Sequence, residues 1–195
     1  MVAASELPID TNATALQMAQ NIFGDGVVVS GATFFGDNDS SGIYTNGDSV
    51  APGVTPGDTG VILSTGDADD FTNSSGQSNQ STNTSTNTRG INNDSQLNAA
   101  AGTNTRDAAI LDIDFTPTGD FMTMQFVFSS EEYPEFQNSV YQDFVGVWIN
   151  GTLVDMAVGN GLPTRATSTL PTTPTSISTT HQISTTQRWM TLPSR

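Results

Sequence analysis

An asparagine–glycine pair between two apolar runs is the feature that most restricts how this chain can fold. Residues 144–149 are apolar or small, Asn150-Gly151 follows, and residues 152–154 resume the apolar run. Asn-Gly suits a type I′ turn, because both central residues of that turn need a positive φ. We therefore expect a tight antiparallel hairpin here, and with it a fold built from antiparallel strands.

Other segments have the composition of strands, being rich in β-branched and aromatic residues between turn signals. They are residues 27–35, 60–66, 109–115 and 121–128. One short helix is expected near the start, capped by Asp10 or Thr11 and ended by Gly24. The pattern predicts a mainly β domain, an antiparallel sandwich or a jelly-roll-like fold, with one short N-terminal helix and a disordered C-terminal tail.

The composition excludes several chemistries. The chain has 20 Asp and Glu against 5 Lys and Arg, a formal charge of −15, and all five cations are arginines. The missing lysine and cysteine exclude a P-loop, a Schiff base, a thiol nucleophile and a disulfide. Nucleic-acid binding is not expected, because phosphate contacts need clustered cations. A serine–histidine–aspartate triad has little support, since the single histidine, His181, lies in the threonine-rich tail.

Charge and apolar content divide the chain. Residues 1–160 hold all 20 acids, whereas residues 161–195 hold none and three arginines, with 11 Thr, 5 Ser and 4 Pro. Such a tail is typical of disorder. Residues 72–105 are a low-complexity surface insertion in this interpretation. Residues 1–9 are an N-terminal arm or the remnant of a signal peptide, because small residues precede signal cleavage sites. The domain itself is assigned to residues 10–160.

Two groups of aspartates follow predicted strands. Asp37 and Asp39 lie in a short run of alternating oxygen ligands that ends in a glycine, which resembles the opening of a calcium loop. Asp67 and Asp69 belong to an acidic run in which neighbouring carboxylates repel one another unless a cation or solvent screens them. A bound Ca²⁺ and a solvated loop both fit, and the sequence leaves the two open.

A third acidic group ends the most hydrophobic strand. Glu131 and Glu132 follow it after two serines, Glu135 comes next, and Asp143 precedes the hairpin. Glu131, Glu132 and Asp143 are the first candidates for Ca²⁺ ligands, ahead of Asp67, Asp69, Asp37 and Asp39. Paired carboxylates could instead serve a carbohydrate-active hydrolase, with two of these four acids as the catalytic pair. Hydrogen bonding of the acids at the strand end is the purely structural interpretation.

The chain resembles the choice-of-anchor L domain of bacterial surface proteins over about residues 10–160. The likeness is carried by Gly-Val-Ile-Leu-Ser-Thr-Gly at 60–66, by 107–120, by Ser-Ser-Glu-Glu-Tyr-Pro-Glu-Phe at 129–136 and by 143–151. The resemblance implies an exported β-rich module, extracellular or at the cell surface, with no established reaction. We expect a structural or adhesive role and partners among matrix components, surface polymers or proteins. Extracellular residence also makes Ca²⁺ available to weak sites.

The likeness weakens after about Gly161. Members of the family continue with a segment resembling Leu-Tyr-Ile-Asn-Asn-Thr, whereas residues 175–181 read Thr-Ser-Ile-Ser-Thr-Thr-His. A shifted reading of codons for these residues can yield the family segment. We therefore expect a frameshift near residue 161, which would also explain the loss of every acid from the tail.

Overall fold

The computed structural model describes residues 6–72, 88–130, 143–154, 164–165 and 175–178. Within these ranges most regular elements are strands, and every strand pair is antiparallel, so the mainly β prediction is confirmed. The strands are β1 Ile9–Asp10, β2 Val27–Phe35, β3 Ser41–Tyr44, β4 Gly60–Leu63, β5 Ile110–Pro117, β6 Phe121–Met124, β7 Phe144–Val145, β8 Trp148–Ile149, β9 Thr152–Leu153, β10 Thr164–Arg165 and β11 Thr175–Ser178. The helices are α1 Ala15–Ile22, α2 Gly47–Val50 and α3 Ser95–Ala101.

Helix α1 starts at a different cap from the one the sequence favours. Thr14 caps it, because the Gln17 backbone N–H donates to Thr14 Oγ1 at 3.3 Å and the Thr14 backbone N–H donates to Gln17 Oε1 at 2.8 Å. This reciprocal capping box satisfies two amides that would otherwise lack partners. Asp10 instead accepts a hydrogen bond from the Asn12 backbone N–H in the preceding turn. The prediction of Asp10 or Thr11 as cap is therefore wrong.

The longest strand pair joins β2 to β5, with Val27 opposite Pro117 and Phe35 opposite Ile110. The register shifts between Val29 and Gly31, where the Ser30 hydroxyl donates to the Asp114 carbonyl oxygen at 3.2 Å. A second sheet has the order β1, β3, β4, so β4 lies at its edge. The remaining pairs are β6 with β11, β7 with β10, and β8 with β9.

The predicted hairpin forms around Asn150 and Gly151, whose φ angles are 50° and 75°. It is shorter than the sequence suggests, because Gly146 interrupts the first strand and separates β7 from β8. A Cβ on Gly146 would lie 2.5 Å from the Trp148 ring, so the ring occupies the space that a side chain would need. The Val154 N–H donates to the Val147 carbonyl at 2.8 Å and extends the hairpin by one pair.

Residues 95–101, in the segment interpreted as a surface insertion, form α3. Asp94 caps this helix by accepting hydrogen bonds from the Gln96 and Leu97 backbone N–H groups, both at 3.0 Å. Leu97 and Ala101 are buried against β5, β7 and β8, in a cluster with Ala108, Ile110, Phe144 and Trp148. The structure therefore places this part of the segment in the core. The low-complexity run at residues 73–87 lies outside the described residues.

A second cluster packs α1 against β5 and β6, and a third lies beside β7. The second consists of Met18, Ala19, Leu111, Ile113, Phe115 and Met122. The third consists of Met124, Val145 and Val147. Strand β5 supplies buried residues to both of the larger clusters, so the core is organised around this strand. Two stretches of the threonine-rich tail, β10 and β11, pair with β7 and β6.

Candidate functional site

The loop with Asp37 and Asp39 and the loop with Asp67 and Asp69 are far apart in the sequence but meet in the structure. The pairing of β3 with β4 continues one step further, where the Ser64 N–H donates to the Ser40 carbonyl oxygen at 2.9 Å. This contact brings the 3-10 turn that follows β2, Asn38–Ser40, against the 3-10 turn that follows β4, Ala68–Phe71. Five carboxylates, which we call the acidic edge, therefore lie on neighbouring loops. They are Asp37, Asp39, Asp67, Asp69 and Asp70.

Asp67 carries the electrostatic cost of this arrangement. Partial burial raises the pKa of its carboxyl group above the usual value, because desolvation disfavours the charged form. The neighbouring carboxylates of Asp70, Asp39, Asp37 and Asp69 raise this pKa further by like-charge repulsion. A positive charge at this edge would therefore stabilise the ionised form of Asp67.

Asp37 accepts hydrogen bonds from two backbone amides. The Arg89 backbone N–H donates to Asp37 Oδ2 at 2.7 Å, and the Asp39 backbone N–H donates to Asp37 Oδ1 at 3.3 Å. These two backbone donors, the Arg89 one first, lower the pKa of the Asp37 carboxyl group. The Arg89 guanidinium adds a weak ion pair, with Nε 3.9 Å from Oδ2 and a side chain that is 97% exposed.

Thr88 and Arg89 fasten the returning chain to the acidic edge. The Thr88 hydroxyl donates to the Thr65 carbonyl oxygen at 2.5 Å, next to the contact between Arg89 and Asp37. Sequence reasoning missed both residues, because they lie 23 and 52 positions from their partners and no local pattern marks them. It did not single out Ser40 either, which is fully buried and whose Oγ has no hydrogen-bond partner among the described residues.

A cavity of about 710 Å³ links the acidic edge to the third acidic group. Its lining includes Asp67 and Asp70 from the acidic edge, together with Asp143, Ser129 and Ser130 from the flanks of the third acidic group. Asp143 is 2% exposed. Two of the sequence-predicted ligand groups, Asp67 and Asp143, thus border one cavity. Glu131, Glu132 and Glu135 lie outside the described residues.

The acidic edge is a negative surface and not a finished coordination sphere. Among the residues that the structure describes, no three Asp, Glu or His side chains are grouped as a ready metal site. Weak extracellular Ca²⁺ sites draw on carbonyl oxygens and water as well as carboxylates. A cation at these loops would therefore take most of its shell from these other oxygens, beside one or two carboxylates.

Comparison with protein families decides where this chain belongs. The model of the choice-of-anchor L domain matches residues 7–190, nearly the whole chain. The chain belongs to this family. Membership indicates a surface-associated bacterial module, as the sequence resemblance implies. Neither a curated protein nor a solved structure gives a match.

The extent of the family match bears on the domain boundary. The choice-of-anchor L match continues past residue 160 and includes most of the threonine-rich tail, to residue 190. Strands β10 and β11 lie in the same span. A frameshift near residue 161 stays a prediction, and sequencing the gene around that codon tests it. In the described ranges, no helix has the length and apolar character needed to cross a bilayer.

Proposed function

We propose that this choice-of-anchor L domain is a non-catalytic structural or adhesive module, exported to the bacterial surface and stabilised there by Ca²⁺ at the acidic edge. The observation that supports calcium is the raised pKa of Asp67, which reflects burial together with four other carboxylates from two loops. A hard divalent cation with oxygen ligands relieves such repulsion. The only positive group that the structure pairs with this edge among its described residues is the exposed Arg89 guanidinium.

Calcium would act as a clamp between the two loops. Asp37 and Asp39 belong to the turn after β2, and Asp67 and Asp69 belong to the turn after β4. A cation shared between the turns binds the folded chain only, because unfolding separates them. Binding to the native state alone stabilises that state by mass action. Asp143, Glu131 and Glu132 remain further candidate ligands, and variants of Glu131 and Glu132 are tested separately.

Calorimetric titration with Ca²⁺ tests this proposal. We expect the wild-type chain to bind with a dissociation constant of about 0.1 to 1 mM, as extracellular calcium modules do. The Asp67→Asn/Asp69→Asn double variant should lose the binding heat. The Asp25→Asn/Asp120→Asn variant is the matched control, because it removes the same charge from two exposed turn residues away from the acidic edge. The proposal is contradicted if the wild-type chain gives no binding heat. It is also contradicted if the Asp67→Asn/Asp69→Asn variant and the control give equal heats.

A glutamine scan of the third acidic group separates this proposal from a hydrolase. If the module is non-catalytic, the wild-type chain has no hydrolytic activity. Glu131→Gln and Glu132→Gln then change only stability or Ca²⁺ affinity. Release of reducing sugar from polysaccharides by the wild-type chain, abolished in a folded glutamine variant, would instead establish the carboxylate pair of a glycosidase.

A further inference from the structure

The cavity beside the acidic edge is bordered by two extended pieces of chain. One is β4 with the residues that follow it to Asp67, the other is residues 123–130, and residues 54–57 and the end of α1 complete much of the lining. Its volume of about 710 Å³ falls within the 300 to 1,000 Å³ that is usual for ligand sites. The groove is thus large enough for a short stretch of polypeptide.

Both walls of the groove are extended chain. Among the strands that the structure describes, β4 is the edge of its sheet, because the strand order ends there. An edge strand presents backbone N–H and C=O groups that can pair with another strand. On the other wall, β6 ends at Met124, but burial continues to alternate as far as Ser130, with Phe126 and Phe128 half-buried and Val127 exposed. The groove therefore lies between a sheet edge and an extended segment.

Charge is distributed unevenly along the groove. Asp67 and Asp70 lie beyond the carboxyl end of β4, Asp143 also borders the cavity, and the described lining residues include no lysine or arginine. A second copy of this chain is a poor occupant, since each copy carries a formal charge of −15 and the two repel. A segment with a cation at one end complements the acidic end.

We propose that this groove docks an extended segment of a partner protein, which adds a strand to the edge of β4 that no described strand pairs with. Backbone hydrogen bonds to β4 would supply affinity, and alternate apolar side chains would pack towards Ile62 and Phe126. Every strand pair described in this chain is antiparallel, so the added strand is assigned the same sense. Its amino end then lies next to Asp67 and Asp70, and the segment should begin with arginine or lysine.

Two synthetic peptides test both the docking and its direction. Each has seven residues with alternating valine and threonine, and one carries an arginine at its amino end, the other at its carboxyl end. Binding is measured by fluorescence anisotropy in EDTA, so that the result does not depend on whether Asp67 also binds Ca²⁺. We expect the amino-terminal arginine peptide to bind about fivefold more tightly, which is the effect of one or two partly exposed ion pairs.

Variants and hydrogen exchange complete the test. Asp67→Asn/Asp70→Asn should remove the difference between the peptides, and the control Asp25→Asn/Asp120→Asn should keep it. NMR hydrogen exchange should show that the preferred peptide protects amides of β4 that do not pair with β3. Equal or absent binding of the two peptides overturns the proposal. So does protection of those β4 amides in the free chain, because another part of the chain would then already cover the edge.

Discussion

Asp67 and Asp37 lie on neighbouring loops, yet their carboxyl pKa values move in opposite directions. Burial and repulsion raise the pKa of Asp67, whereas hydrogen bonds from the Arg89 and Asp39 backbones lower that of Asp37. Linkage gives the two shifts opposite consequences for stability. Asp67 disfavours the folded state once both states have lost its proton, and Asp37 favours it under the same conditions.

The substitution Asp67→Asn should stabilise the protein in EDTA at pH 7, by about 0.5 kcal/mol, because it removes a charge from a repulsive cluster. The folded state holds the Asp67 proton more tightly than the unfolded chain, so the advantage of the variant should shrink as the pH falls towards 4. Urea denaturation at the two pH values measures the difference. Asp25→Asn controls for net charge, and an Asp67 variant that is no more stable than this control contradicts the account.

The substitution Asp37→Ala should have the opposite effect and destabilise the protein by about 1 to 2 kcal/mol, because the Arg89 and Asp39 amides lose their acceptor. The Asp37 contribution is complete above the ordinary aspartate pKa and is lost as the pH falls through the lowered folded pKa. The same denaturation series measures it. Asn38→Ala, at the exposed neighbour, should change little; equal losses in both would refute the role of Asp37.

The sequence identifies the members of the acidic edge but not their convergence. Aspartates after two predicted strands are visible in the chain, and the repulsion within Asp67 to Asp70 follows from spacing alone. That Asp37 lies beside them depends on the register of β3 with β4, and that Arg89 joins them depends on a contact 52 residues away. Neither the register nor the long-range contact has a local sequence signal.

At the scale of elements, the β8–β9 hairpin was the most predictable feature. Gly151 has a φ of 75°, which a residue with a Cβ adopts only at a cost. Gly151→Ala should therefore lower the free energy of unfolding by about 1 kcal/mol. Gly119→Ala is the matched control, because a Cβ there meets no atom within 4 Å and its φ is not positive. Chemical denaturation measures the free energy of unfolding of both variants. An equal loss in the two would contradict the turn geometry.

Helix α3 is one of the elements that the sequence did not predict. Its local composition is polar and small, and its buried residues are Leu97 and Ala101, with Ala100 packed partly against the core. Leu97→Ala should cost about 2 to 5 kcal/mol, the usual loss for a buried leucine, measured by chemical denaturation. Ser95→Ala, on the exposed side of the same helix, should cost less than about 0.5 kcal/mol. A Leu97 variant as mild as the Ser95 control would place the helix outside the core.

The three alanines of α3 favour a helix, but tertiary packing decides whether so short a segment forms one. The Asp94 cap is a recognisable start signal, but seven residues are too few to form a stable helix alone. Packing against Phe144 and Trp148 supplies the stabilisation, and those residues lie about fifty positions further along the chain. Strands β2 and β5, by contrast, are long and β-branched, and both were predictable from composition.

At the scale of the whole molecule, the charge of −15 is the property most directly linked to the proposed role. Like charges destabilise the compact state, and divalent cations screen or bind them. The family match is consistent with a surface environment, in which Ca²⁺ is plentiful. The fold class could be predicted from the sequence, whereas the packing of the acidic edge against the groove could not, because it depends on the order of strands in the sheet.

Thermal unfolding of the full chain in EDTA and in 10 mM Ca²⁺ tests the central claim most directly. With a dissociation constant of about 0.1 to 1 mM, Ca²⁺ should stabilise the native state by about 1.4 to 2.7 kcal/mol. For a chain of 195 residues, this corresponds to an increase in Tm of roughly 3 to 10 °C, which Mg²⁺ should not reproduce in full. In the Asp67→Asn/Asp69→Asn variant the increase should disappear. An identical Tm for the wild-type chain in EDTA and in Ca²⁺ would contradict the calcium-stabilised module.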